Sequence, residues 1–220
     1  SEKLKNLFLN ITTNVFKITN GFDYINKEIN LDKKFSISHV GSLYPERNPK
    51  FLWDVLEEVF DGSLFSDLQI NFIGNTSEKT KKELSKRKFK KSIKFYDYVD
   101  YNKATELMCS SQVLLMVEVN DEESSYAIPG KLFDYLNSKR PIISIGPTDS
   151  EVAQILNNTA SGTLFNYHEA HSLKSHIKKL YDRFKNGSNN SNTNQSIEKY
   201  NRKNLTRELS EIIELVTRKS

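Results

Sequence analysis

Residues 113–117 read Val113-Leu114-Leu115-Met116-Val117, five apolar side chains in a row. A strand with one wet face alternates polar and apolar residues, whereas one buried on both faces does not. The run therefore predicts a central strand of a parallel sheet with helices on either side. Upstream, further strands are read at 35–40, 68–73 and from 93. Downstream, they are read at 141–145 and 163–165. Helical patterns fill the gaps. Asn48-Pro49 reads as a cap followed by Pro at the first helical position. Beyond it Phe51, Leu52, Val55, Leu56, Val59 and Phe60 share one face. A lysine-rich helix is expected at 77–91, and a short one runs from an Asp100 cap through Met108. Others are expected at 131–138, 149–157, about 168–185 and 196–217. Strands alternating with helices of this length predict βαβ units with right-handed crossovers. The fold class is α/β, a doubly wound parallel sheet with helices on both faces.

The ends of the chain read differently. Residues 2–14 fit a short helix or an exposed segment, and 15–18 a short apolar strand closed by an Asn20-Gly21 turn. Residues 24–34 are polar and aperiodic, as in a linker, and 186–195 form a polar low-complexity stretch read as a flexible loop. The chain starts without Met, and its first third reads as the end of something larger.

Composition narrows the function classes. Of 220 residues, 37% are hydrophobic and 27% charged, enough for a globular core. Thirteen Phe and ten Tyr argue against wholesale disorder. No apolar run approaches the roughly 20 residues needed to span a bilayer. No signal-peptide pattern is read, and the single Cys109 excludes a disulfide framework or a multi-cysteine zinc site. Together these point to a reducing cytoplasm. The net charge of +4 is too weak to imply a nucleic-acid partner.

In an open α/β sheet, ligands bind at the carboxyl ends of strands near helix N-termini. Three loops have suitable residues. The first holds Gly41 and Ser42, then Arg47 just before a helix start, where free N–H groups and a guanidinium favour an anion. It also fits an ordinary βα turn with a solvated Arg. The second runs from Ser124 through Pro129, Gly130 and Lys131 into Leu132, Phe133 and Asp134. Backbone amides at Gly130 and Lys131 would face a phosphate, and Asp134 would accept hydrogen bonds from vicinal ribose hydroxyls. It also fits a plain Pro-initiated helix, and it lacks P-loop spacing. The third, Asp97-Tyr98-Val99-Asp100, offers Tyr98 to a planar base or simply to packing. Of the four histidines, His168, His171 and His176 fall on or near one surface helix, and with His39 they form no cluster.

Taken in order, Gly41-Ser42-Leu43 with Arg47, Phe72-Ile73-Gly74, Phe95-x-x-Tyr98-Val99, residues 106–117, and Ile128-Pro129-Gly130-Lys131-Leu132-Phe133-Asp134-Tyr135-Leu136 with Pro141-Ile142-Ile143 resemble a known pattern. It is the C-terminal, donor-binding domain of GT-B, family-4-like glycosyltransferases of surface polysaccharide and lipopolysaccharide assembly. The resemblance covers about residues 14–217. It implies a Rossmann-like donor domain at 35–187, preceded at 1–34 by the end of an N-terminal domain and linker. A loop and closing helix follow at 188–220, the helix packing back toward the absent domain. It implies a nucleotide-diphosphate sugar as donor substrate, with no cofactor and no metal. Asp134 would hold the ribose, Arg47 the diphosphate, and the backbone near Pro129, Gly130, Lys131 and Leu132 the sugar and phosphate. No catalytic residue is assigned. Two departures stand out: Tyr126 occupies the position of the first of two glutamates spaced by seven residues, with Glu122 and Glu123 out of register, and Ser42 replaces an arginine.

The expected function is therefore half of a sugar transferase, inactive alone. One alternative is a sugar-nucleotide epimerase-like or non-catalytic GT-B partner domain. Another is attachment to an anionic surface through Lys79, Lys81, Lys82, Lys86, Arg87, Lys88, Lys90, Lys91 and Lys94, each basic residue adding about 1 kcal/mol. That would make the protein peripheral at the inner membrane face, or the stretch is simply a solvated helix face. Nucleic acid is not expected, because aromatic residues are not interleaved on that stretch.

Overall fold

The computed structural model describes residues 1–25, 29–121, 123–188 and 195–218. Six strands, β1 (Phe35–Val40), β2 (Leu68–Ile73), β3 (Ile93–Tyr96), β4 (Val113–Val117), β5 (Ile142–Ile145) and β6 (Gly162–Phe165), form one sheet. Their order is β3-β2-β1-β4-β5-β6, and every neighbouring pair is parallel.

β4 shows why its sequence does not alternate. Val113, Leu115 and Val117 enter one core with Leu52, Trp53, Leu56, Leu173 and Ile177. Leu114 and Met116 enter the other with Phe133, Leu136, Val152 and Leu156. The first core lies under α2 (Lys50–Val59) and α7 (Ala170–Lys185), the second under α5 (Lys131–Asn137) and α6 (Glu151–Thr159). The other helices among the described residues are α1 (Glu2–Leu9), α3 (Glu78–Leu84), α4 (Tyr101–Ser110) and α8 (Arg202–Thr217). Asp100 caps α4 as expected, its carboxylate accepting from the Lys103 amide at 2.9 Å.

Four local readings change. Asn48 is not the α2 cap; Pro49 holds that position. The Asn48 side chain instead accepts from Trp53 Nε1 at 2.6 Å and donates to Glu83 at 2.9 Å, because a fully buried indole N–H needs a partner. Residues 77–91 are not one helix. α3 stops at Leu84, and the chain then folds back so that Phe89 is buried beside Trp53. Residues 15–18 are not a strand. Among the described residues, the pairing in that region is a bridge between Phe22 and Asn201. The last helix starts later than expected, a 3₁₀ turn covering Gln195–Tyr200. The 186–195 stretch lies mostly outside the described residues, as do residues 26–28 of the linker.

The leading segment is tied to the closing one. The Phe22 amide donates to Tyr200 O at 3.0 Å, and the Arg202 amide donates to Phe22 O at 2.9 Å. Arg202 and Asp23 form an ion pair at 2.5 Å, and Asn137 of α5 donates to Asp23 O at 2.6 Å. Gly21 is required at this crossing, since a Cβ there would lie 2.4 Å from Tyr200 O. Apolar side chains nevertheless stay exposed on both segments, among them Leu7, Phe8 and Ile11, and Leu209, Ile213 and Val216.

Candidate functional site at the switch point

β1 and β4 are neighbours, but the chain leaves them toward opposite edges of the sheet. The loops therefore part above their carboxyl ends and leave a crevice, the position where open α/β sheets bind ligands. Gly41 leaves β1 with φ +106°, a conformation that favours glycine. Glu118 follows β4, and Gly130 and Lys131 begin α5. At that start the Leu132 and Phe133 amides are already bonded to Pro129 O at 3.0 Å and Gly130 O at 3.2 Å, which leaves the Gly130 and Lys131 N–H groups for a ligand.

Lys131 reaches back across the crevice. Its Nζ lies 3.2 Å from Val40 O and 3.5 Å from His39 Nε2. His39 is fully buried, and its Nδ1 lies 3.1 Å from Leu115 O. A carbonyl can only accept, so Nδ1 carries the proton and Nε2 presents a lone pair. Burial, then the Lys131 charge, hold the imidazole well below its ordinary range, so it is neutral. The Tyr135 hydroxyl accepts from the Val40 amide at 2.8 Å and donates to Leu115 O at 3.2 Å, fixing the same strand ends.

Charge is concentrated here. Burial, then the Arg47 charge, push the Lys131 ammonium down to about 7, with Glu118 opposing. Burial pushes the Glu118 carboxyl up to about 7, against Lys131 and Arg47. Glu118 is 5% exposed and neither carboxylate oxygen has a hydrogen-bond partner. Gly146 makes room for it, since a Cβ there would stand 3.3 Å from Oε2. Tyr167 closes the far side, its hydroxyl donating to Glu118 O at 2.6 Å. Asp134 is half-buried one helical turn beyond Lys131; burial raises its pKa, with Tyr101 and Arg202 opposing. The Tyr101 hydroxyl donates to Asp134 Oδ1 at 3.4 Å.

Gly41, Ser42, Arg47, Pro129, Gly130, Lys131, Leu132 and Asp134 thus flank one crevice. Leu132 turns its side chain into the core, and its amide is already bonded to Pro129 O at 3.0 Å, so it offers an anion no donor. Tyr98 is not brought there. It is 94% exposed beyond β3, the edge strand two places from β1. Tyr126 is half-buried with Lys3 Nζ 5.3 Å from its ring centroid, and Glu122 lies outside the described residues. His168 and His171 are exposed, while His176 sits half-buried against Phe165. His39, Glu118, Tyr135 and Tyr167 are the members that the loop-by-loop reading passed over. For Glu118 the signal was its place directly after the most apolar strand.

Two hollows are lined by other residues. A groove of about 870 Å³ runs along α4 past Ile29, Asp32 and Glu106, and holds none of the crevice residues. One of about 390 Å³ opens over the ends of β4–β6, between Asn120, Asp121, Pro147, Asp149 and Asn166. Among the described residues no His, Cys, Asp and Glu group is arranged to hold a metal ion. Nor is any helix there long and apolar enough to cross a membrane.

Solved structures share this fold at low identity. A mutant of S. aureus TarM, solved with fondaparinux, alpha-GlcNAc-glycerol and UDP, matches 96% of this chain at TM-score 0.70 and 15% identity. Anabaena Alr3699/HepE, solved with UDP and glucose, matches 97% at TM-score 0.72 and 12% identity. The lipopolysaccharide outer core galactosyltransferase WaaB, in its apo form, matches 97% at TM-score 0.69 and 14% identity. The match spans 42%, 61% and 60% of those chains, respectively. No curated protein sequence matches the chain. The sequence profile described as glycosyl transferases group 1 matches residues 34–183, from the residue before β1 to within α7. With its whole sheet inside that match, the chain belongs to the glycosyl transferases group 1 family.

Proposed function

We propose that residues 35–187 are the donor-binding half of a glycosyltransferase that moves a sugar from a nucleoside diphosphate to a glycan or lipid-linked acceptor in cell-surface polysaccharide synthesis. Residues 1–34 belong to the passage from a preceding domain, and the acceptor site and catalytic groups lie outside this half. One observation carries the reading. At the switch point, Lys131 Nζ and Arg47 supply positive charge beside a side-chain-free Gly41, one helical turn from the half-buried Asp134. A diphosphate fits the cations and the Gly130 and Lys131 amides, and a ribose diol fits a carboxylate acceptor. No metal and no cofactor enter this scheme. The UDP held by two of the structures above supports the same ligand class.

Titration of the chain with UDP and GDP by calorimetry tests the proposal. Binding that weakens at least tenfold in both Lys131→Met and Asp134→Ala is expected, one tenfold step being about 1.4 kcal/mol. Absence of binding at millimolar nucleotide, or unchanged affinity in both variants, contradicts it. A second reading is favoured by Tyr126 alone. With an aromatic residue where a carboxylate would meet the sugar, a non-catalytic partner or epimerase-like domain binds the nucleotide but gains nothing from the sugar. The place of work we propose is the cytoplasm, at the inner membrane face, with the Lys79–Lys94 stretch toward anionic headgroups.

A further inference from the structure

We propose that His39 is a positioning residue for the anion site. Its Nε2 accepts one N–H of Lys131 and, with the Val40 carbonyl, holds the ammonium so that its third N–H faces the gap above Gly41. There a phosphate oxygen of a nucleoside diphosphate sits. The inference rests on the donor-site reading above and adds to it the group that aims its lysine.

Leu115 O accepts from Nδ1 at 3.1 Å, which leaves Nε2 as an acceptor. Of the two groups 3.5 Å from Nε2, Ser42 O has no proton to give and Lys131 Nζ has. An ammonium carries three N–H bonds. Val40 O and His39 Nε2 take two, and both lie on β1, beneath the crevice. The Cβ that Gly41 lacks would stand 3.9 Å from Nζ, so the glycine leaves this side of the lysine uncovered. The charged or titratable groups whose fields reach His39 are Lys131 of α5 and Arg47 of the turn ahead of α2. Tyr135 of α5 shares the Leu115 carbonyl with the imidazole and so holds its acceptor in place. A neutral, fully buried imidazole with one fixed tautomer is a rigid acceptor, which a flexible lysine stem needs in order to present one geometry.

Three variants separate positioning from packing. His39→Asn keeps a donor near the Nδ1 position for Leu115 O but withdraws the acceptor from Lys131. His39→Gln restores an acceptor near the Nε2 position. UDP affinity, or GDP affinity where GDP binds tighter, falls about tenfold in His39→Asn and stays within about threefold of wild type in His39→Gln. In a Lys131→Met background, His39→Asn has no further effect, because the histidine acts only through the lysine. The affinity of the wild type also declines as pH rises through about 7, where Lys131 loses its proton and the facing Glu118 becomes charged, and in His39→Asn the lysine's part of this decline moves to lower pH. Thermal unfolding confirms that each variant is folded. Equal losses in Asn and Gln, or a loss that persists with Lys131→Met, would mean that His39 supports the fold rather than the lysine. Absence of UDP and GDP binding by the wild type overturns the donor-site reading itself, and this inference with it.

Discussion

Among the described carboxylates, Glu118 departs furthest from ordinary behaviour. Its carboxyl is buried, unpartnered and raised to about 7, so at pH 5 the folded protein holds it protonated. A folded pKa above the unfolded value contributes stability below the ordinary carboxylate range, and that contribution is lost as pH rises through 7. Glu118→Gln mimics the protonated form. We expect it to match wild-type stability at pH 5 and to exceed it by about 2 kcal/mol at pH 8 in urea unfolding. A constant difference across that range contradicts the burial argument. Asn48 supports a second expectation. Asn48→Ala leaves the buried Trp53 N–H without its acceptor and costs about 1–3 kcal/mol by the same measurement. Little of this was legible beforehand. Gly41 and Arg47 sit on a loop, and Lys131 and Asp134 on the first turn of α5, in stretches whose composition announces an anion and a diol, so single residues betray them. His39 lies inside a strand, where nothing in Ser-His-Val distinguishes a packed imidazole from one that receives a lysine 92 residues away.

Elements were the most legible scale, because periodicity is local and burial leaves a direct trace in it. The six strands appear where apolar runs end at glycine, proline or polar turns, and the order of strands and helices required no long-range knowledge. Where readings failed, a distant contact had overridden the pattern. Phe89 is drawn into the core beside Trp53, so the lysine-rich stretch breaks after Leu84 and wraps a corner of the sheet. That wrapping alters the meaning of its charge. Arg87 is occupied by Asp54, Glu57 and Glu83, and Lys81 by Glu78. Lys79, Lys82, Lys86, Lys88, Lys90, Lys91 and Lys94 stay exposed beside the edge strand. Lysine is a point charge rather than a fork for bidentate recognition, and suits a diffuse anionic surface better than a nucleic-acid groove. We expect sedimentation with vesicles containing phosphatidylserine at low salt and none with phosphatidylcholine alone. Changing Lys86, Lys88, Lys90 and Lys91 to Gln weakens that binding about a hundredfold or more. Equal sedimentation with both vesicles contradicts the role given to the patch.

At the scale of the molecule, one sheet with two cores sets up one crevice, and the two ends of the chain close together beside α5. The Phe22–Asn201 bridge and the Arg202–Asp23 pair tie the leading segment to the start of α8, next to the helix that carries Lys131 and Asp134. This tie was invisible to a local reading, since its partners lie about 180 residues apart. Family membership rests on residues 34–183, which contain every strand and every residue of the crevice. On this reading the crevice, and not the groove along α4 or the lysine corner, receives a nucleoside diphosphate. Amide shifts of the isotope-labelled chain during UDP titration measure that directly. We expect perturbations centred on Gly41–Leu43, Arg47 and Gly130–Asp134, with the Lys79–Lys94 stretch silent at moderate salt. Perturbations centred on the α4 groove or the lysine corner, or none at millimolar UDP, would contradict it.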